Sequence, residues 1–165
     1  IPFTNASRIA KIPEKRCVTV DSTDRAILSL LKQNARASAS EISKRVSLSV
    51  PAVSERIKKL EQSGVIRQYT VRLDRQLTGE KLVAFIFVNL DKTESITPLR
   101  ETIVTYPCVL ECHHVAGPYD YLLKVAVEDT QALENFLTQT LKKMGGVAGS
   151  NTIISLAALK EEMGG

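Results

Sequence analysis

The sequence predicts an α+β chain: an N-terminal winged helix-turn-helix over residues 21–79, then a ferredoxin-like βαββαβ domain over residues 80–165, behind a tail over residues 1–20. Three observations predict it. Two segments opened by helix-capping serines, Ser38 and Ser49, follow each other so closely that their helices meet in a tight turn, and the second is small-faced at its start and basic further on. From Leu82 the pattern changes to short apolar runs, beginning LVAFIFVNL, that alternate with helical periods. Charge divides at the same place: residues 1–80 carry 15 Lys and Arg against 8 Asp and Glu, residues 81–165 carry 7 against 10.

The tail, IPFTNASRIAKIPEKRCVTV, has two prolines, scattered cations and no sustained period; a basic arm on DNA is the lesser alternative for it. Asp21 or Ser22 caps the first helix, Asp24 sits favourably in its first turn, and Ile27, Leu28, Leu30 and Leu31 form its buried side to about Gln33. Ser38 and Glu41 make a capping box for a second helix ending near Val46. Ser47-Leu48-Ser49 leads into the third, where Ser49 is the cap, Pro51 needs no partner in the first turn, and Val53, Ile57, Leu60 and Gly64 form one apolar stripe. Ala52, Ser54, Glu55, Arg56, Lys58, Lys59 and Gln62 are left facing away. Residues 65–74 alternate as a strand or short hairpin, the wing, with Arg67, Arg72 and Arg75 along it.

In the second half, Leu82–Leu90 is apolar on both faces and reads as a doubly buried strand. Thr97 caps a helix with Pro98 at its first position, and Leu99, Ile103 and Tyr106 share a stripe before Pro107. Val109–Ala116 and Tyr121–Val127 are strands joined by the turn Gly117-Pro118-Tyr119-Asp120. Asp129 or Thr130 caps a last helix with Leu133, Phe136, Leu137, Thr140, Leu141 and Met144 on one side, and Val147–Leu159 is the last strand. Two helices cover one face of such a sheet. Since neither face of the first strand is polar, a second subunit is expected on the other, giving an obligate homodimer.

Small residues in a helix's first turn let it enter a major groove, and cations further along meet phosphates. Ser49, Ala52, Ser54, Glu55, Arg56, Lys58 and Lys59, with Arg67 and Arg72, are therefore the expected contacts to double-stranded DNA. An ordinary amphipathic helix with solvated charges is the plain alternative. Three cysteines without a C-x-x-C and no apolar run of membrane-spanning length suit a reducing cytoplasm and no membrane. His113 and His114 alternate across a strand and cannot share one ion, so with Cys108 and Cys112 they form no expected metal site.

The order S-x-x-E-I-S-K-R-V, then S-x-x-x-V-S-E-R-I-K-K-L-E-x-x-G-V-I-x-x-Y, then E-C-H-x-V-x-G-x-Y-D-Y-L-L-K resembles the leucine-responsive and asparagine-responsive (Lrp/AsnC) regulators, from about Val20 to Glu161. The resemblance implies a prokaryotic, nucleoid-associated transcription regulator with no catalytic residues and no cofactor, whose C-terminal sheets pair as dimers that assemble further into octamers. It also implies an amino-acid effector near Gly117, Pro118, Tyr119 and Asp120, with Thr152 and Ile154 on the pocket wall. Asp120 suits an ammonium group, and a turn residue bonding its own backbone is the equal alternative. One position departs: Ser47 stands where the family usually has Gly, at a cost of about 1 kcal/mol if the backbone is left-handed. Some proteins similar to this family are sirohaem decarboxylases, and His113 and His114 keep that enzyme alternative open.

Overall fold

The computed structural model describes residues 19–161 apart from Thr93 and Ser95. All of the expected tail except Thr19 and Val20 lies outside the described residues. By their contacts the described residues divide into two compact units, 19–72 and 73–161.

The first unit is three helices: α1 (Ser22–Gln33), α2 (Ala39–Val46) and α3 (Val50–Gln62). Their starts are local events. Asp21 and Asp24 bond each other's backbone amides in a capping box, as do Ser38 and Glu41, and Ser49 Oγ accepts from Ala52 N–H at 3.4 Å. The backbone bond from Ser38 holds the Glu41 carboxyl below its usual range. Ile27, Leu31, Ile42 and Val53 form the core, flanked by Val46, Leu48, Ile57 and Ile66. Ser47 ends α2 at φ 54°, ψ 41°, the left-handed region, where Cβ crowds the carbonyl and L-residues other than Gly are strained.

The wing differs from expectation. Residues 67–74 form no strand or hairpin, although Tyr69, Val71 and Leu73 are all exposed along them. The physical reason is legible: between Arg67 and Leu73 there is no Gly, Asn, Asp or Pro on which a hairpin could reverse, and a lone extended segment has no ladder partner. The first turn-former, Asp74, instead caps a short helix not anticipated from the sequence, α4 (Arg75–Thr78), closed by Gly79 at φ 89°.

In the second unit β1 (Leu82–Leu90), α5 (Ile96–Ile103), β2 (Val109–His114), β3 (Tyr121–Val127), α6 (Thr130–Asn135) and β4 (Val147–Ser155) follow in order. The helix opened by α6 runs on through a π turn over Phe136–Thr140 and a 3-10 turn over Leu141–Lys143. β2 stops before Val115 and β4 before Leu156, both short of the expected ends. The sheet order is β2-β3-β1-β4, all antiparallel, which is the ferredoxin-like arrangement. Ala84, Ile86, Val88, Tyr121, Leu123 and Val125 pack beneath Leu99 and Ile103 of α5 and Leu133, Phe136 and Leu141 of the last helix. Both helices lie on this face. The other face presents Val83, Phe85 and Phe87 half-buried and Ile153 52% exposed.

Candidate nucleic-acid interface and effector loop

The stripe that seats α3 determines what it displays. With Val53 in the three-helix core and Leu60 buried two turns on, Ser54, Glu55, Lys58, Lys59 and Gln62 are turned out and exposed, and Ala52 is half-buried. Glu55 and Lys59 pair one turn apart at 3.7 Å, both largely solvated, so the pair organises the face more than it stabilises the helix. Ser49 is exposed while its hydroxyl serves the cap. Val50 and Pro51 are also exposed in the first turn, where the sequence reading used Pro51 only as a helix starter. On α2, Lys44 and Arg45 are exposed as well, at positions the K-R pair in its outer face marks.

Arg56 departs from expectation. It is half-exposed and paired at the surface: its Nη1 donates to Asp21 Oδ2 and to Asp24 Oδ1, both at 2.7 Å. Hydrogen bonds to Asp21 first, and Asp24 next, raise its pKa, and the Asp21 carboxyl is held low by the Asp24 amide and then by Arg56. Arg56 lies three residues after Val53 and four before Leu60, hence on the flank of the buried stripe, a signal present in the spacing.

Arg67 and Arg72 are exposed on the extended wing. Tyr69 ties that segment to α3, its hydroxyl donating to Glu61 Oε1 at 2.8 Å. Partial burial and this bond push its pKa up to about 12.

In the second unit the turn after β2 is anchored to β1. Leu90 N–H donates to Asp120 Oδ2 at 2.7 Å, Asp120 N–H donates to Val88 O at 3.0 Å, and Val115 N–H donates to Asp120 O at 3.0 Å. One Asp120 oxygen thus serves the turn. Gly117 adopts φ 157°, and a Cβ there would meet nothing, so backbone conformation rather than crowding is what favours glycine. Pro118 is exposed. The Tyr119 ring lies 5.0 Å from that of Phe87, and Asn151 Nδ2 donates to its hydroxyl at 3.2 Å.

The register splits the expected effector set. Asn151 is opposite Phe87 on the open face, whereas Thr152 is opposite Ile86 and Ile154 opposite Ala84, both on the helical face. Side chains alternate along a strand, so Thr152 and Ile154 point away from Tyr119. Asn151, which no sequence motif marks, is the β4 residue that meets the loop. Also on the open face, Lys124 bridges Glu161 at 2.7 Å and Glu111 at 3.4 Å, and His113 meets Glu111 at 3.0 Å. Lys124 is raised chiefly by its bond to Glu161, and Glu111 lowered chiefly by its bond to His113. His114 instead lies on the Tyr121 side of the sheet, exposed, its ring stacked on that of Tyr121 with centroids 5.1 Å apart. Among the described residues no three His, Cys, Asp or Glu side chains gather as a metal site.

Residues 83–164 match the model of the Lrp/AsnC ligand binding domain and residues 20–67 that of a winged helix-turn-helix DNA-binding domain. The HTH-type transcriptional regulator FL11 of Pyrococcus horikoshii is 33% identical over 144 residues, covering 87% of this chain and 94% of that one. The chain belongs to the Lrp/AsnC family. The leucine-responsive regulatory protein of Klebsiella pneumoniae is also 33% identical over 144 residues, covering 86% and 88%. Among solved structures, a transcriptional regulator of Neisseria meningitidis in complex with L-methionine superposes with a TM-score of 0.85 at 32% identity, covering 88% and 95%. The feast or famine regulatory protein of M. tuberculosis, complexed with L-methionine, gives 0.79 at 28% identity, covering 89% and 99%. As an Lrp/AsnC protein the chain is a DNA-binding transcription regulator, and the sirohaem-decarboxylase alternative falls because these relatives are regulators.

Proposed function

We propose that this regulator reads duplex DNA with the outer face of α3 and tunes that binding through an amino acid held at the Gly117–Asp120 turn. What carries the reading is the orientation of α3: a packed three-helix core turns Ser54, Glu55, Lys58 and Lys59 into solvent. Ser49, Val50, Ala52 and Ser54 belong to base edges in the major groove, Lys58, Lys59, Arg67 and Arg72 to phosphates, and Glu55 to orienting Lys59. Arg56 leaves this contact set.

Two relatives solved with L-methionine make methionine the first effector to try. For it, Tyr119, Asn151 and the remaining Asp120 oxygen offer polar partners, and the exposed Gly117 and Pro118 frame the entrance. The apolar open sheet face supports a homodimer, and the family resemblance an octamer of four such pairs. The site of action is the cytoplasmic nucleoid, where the DNA is.

The test is one titration series. Binding of a mixed-sequence duplex is measured across salt concentrations for the unsubstituted protein and for Lys58→Ala, and melting temperature is recorded with each of the twenty amino acids. Lys58→Ala is expected to weaken binding and to lower the salt slope by about one, and one amino acid, methionine first, to raise the melting temperature selectively. An unchanged slope removes Lys58 from the interface. A flat amino-acid screen sinks the effector half and leaves a constitutive DNA binder.

A further inference from the structure

We infer that Arg56 is a positioning residue, clamping α3 to the N-terminus of α1 and so fixing the rotation of the DNA-reading helix about its own axis. The contact is a closed set. Each carboxylate spends one oxygen on the capping box and the other on the guanidinium. Asp24 N–H donates to Asp21 Oδ1 at 2.7 Å and Asp21 N–H to Asp24 Oδ2 at 3.2 Å, while Arg56 Nη1 takes Asp21 Oδ2 and Asp24 Oδ1. All four carboxylate oxygens therefore have donors.

The partners come from the middle of α3 and the first turn of α1, 35 and 32 residues apart in sequence. The apolar stripe of Val53 and Leu60 holds α3 down, but apolar contacts are non-directional and tolerate a small roll. Two charge-assisted bonds to one nitrogen do not, because such bonds weaken steeply with angle and distance. A roll of α3 would move Ser54 and Lys58 relative to base edges, where discrimination depends on bidentate geometry. The clamp also decides a matter of charge. Asp24 lines one cleft with Ala52, Glu55, Arg56 and Lys59, Asp21 shares its guanidinium, and carboxylates left unpaired there would repel a polyanion.

That repulsion gives the experiment its sign. Asn caps a helix as well as Asp does, so Asp21→Asn keeps the cap and deletes only the ion pair and one negative charge. If Asp21 were merely a nearby charge, its removal would tighten DNA binding. As part of a clamp, its removal loosens it. The probe is a duplex selected from a random pool by the unsubstituted protein, with a mixed-sequence duplex beside it. Asp21→Asn, Asp24→Asn and Arg56→Gln are each expected to lose about tenfold on the selected duplex and less on the mixed one, with unchanged salt slopes; Asp21→Asn combined with Arg56→Gln should lose no more than Arg56→Gln alone.

Tighter binding by Asp21→Asn overturns the inference, and so does a slope lowered by about one in Arg56→Gln, which would make Arg56 a phosphate contact. Equal affinity of all three variants, each folded by circular dichroism, reduces the contact to a structural one and overturns it too. The inference rests on α3 being the reading helix, so Lys58→Ala is run in the same assay. If that variant also changes neither affinity nor slope, the assignment of α3 fails and the clamp falls with it; if Lys58→Ala lowers the slope while the clamp variants bind normally, only the clamp fails.

Discussion

Ser47 shows how one residue can hold a motif in place at a cost. It is the only non-glycine at positive φ among the described residues, and it stands at the turn that sets α2 against α3. An L-residue in the left-handed region gives up about 1 kcal/mol to Cβ crowding, which glycine avoids. Ser47→Gly is accordingly expected to stabilise the protein by about 1 kcal/mol, read as a higher urea midpoint at unchanged slope. A lower midpoint would mean that the serine side chain contributes more than its backbone costs. Asp120 makes the complementary point. Its carboxylate looks like a ligand group in the sequence, yet one oxygen already accepts the Leu90 amide. A buried or half-buried amide needs a partner, and a carboxylate within reach satisfies that need first.

At the scale of elements, most helix starts were legible, while α5 begins at Ile96, ahead of its expected cap Thr97, and the wing was not legible. Capping bonds span three residues, so Asp21, Ser38, Ser49 and Asp129 announce their helices from local sequence alone. The wing depends instead on what lies beside it. In the structure its attachment to α3 is the Tyr69 hydroxyl on Glu61, and this bond carries a pH signature. Because the folded pKa of Tyr69 is raised from 10.0 to about 12, its contribution is complete below pH 10 and is lost as pH rises towards 12. The difference in tyrosinate absorbance between the unsubstituted protein and Tyr69→Phe is expected to titrate with a midpoint of about 12. A difference that titrates near the ordinary value of 10.0 would contradict the tether.

On the scale of the whole molecule, the second unit is finished on one face only. The helices cover Ala84, Ile86 and Val88, while Phe85, Phe87 and Ile153 look outward with no helix above them among the described residues. Apolar surface of that kind is stabilised by association. For the proposed dimer, Phe87→Glu, opposite Leu122 and Asn151 with no cation across the strands, would bury an unpaired charge at the interface and is expected to yield monomers in sedimentation while the circular dichroism of the fold persists. If the unsubstituted protein itself sediments as a monomer, the open face has another purpose.

The sequence by itself determined the class of fold, the βαββαβ order of the second unit, the caps Ser38 and Ser49, and the exposure of Ser54, Glu55, Lys58 and Lys59 on α3. These follow from bonds within a turn and from the periods of helix and strand, which are properties of neighbouring residues. Only the tertiary structure decided that Arg56 is paired with Asp21 and Asp24, that the wing runs without a ladder partner among the described residues, and that Thr152 and Ile154 lie on the far side of the sheet from Tyr119. The last of these depends on register: β4 pairs with β1 through an irregularity at Asn89 and Leu90, and with period-two strands a shift of one residue exchanges the two faces. Partners more than thirty residues apart are chosen by packing, which brings the middle of α3 to the first turn of α1, and no local pattern encodes that meeting.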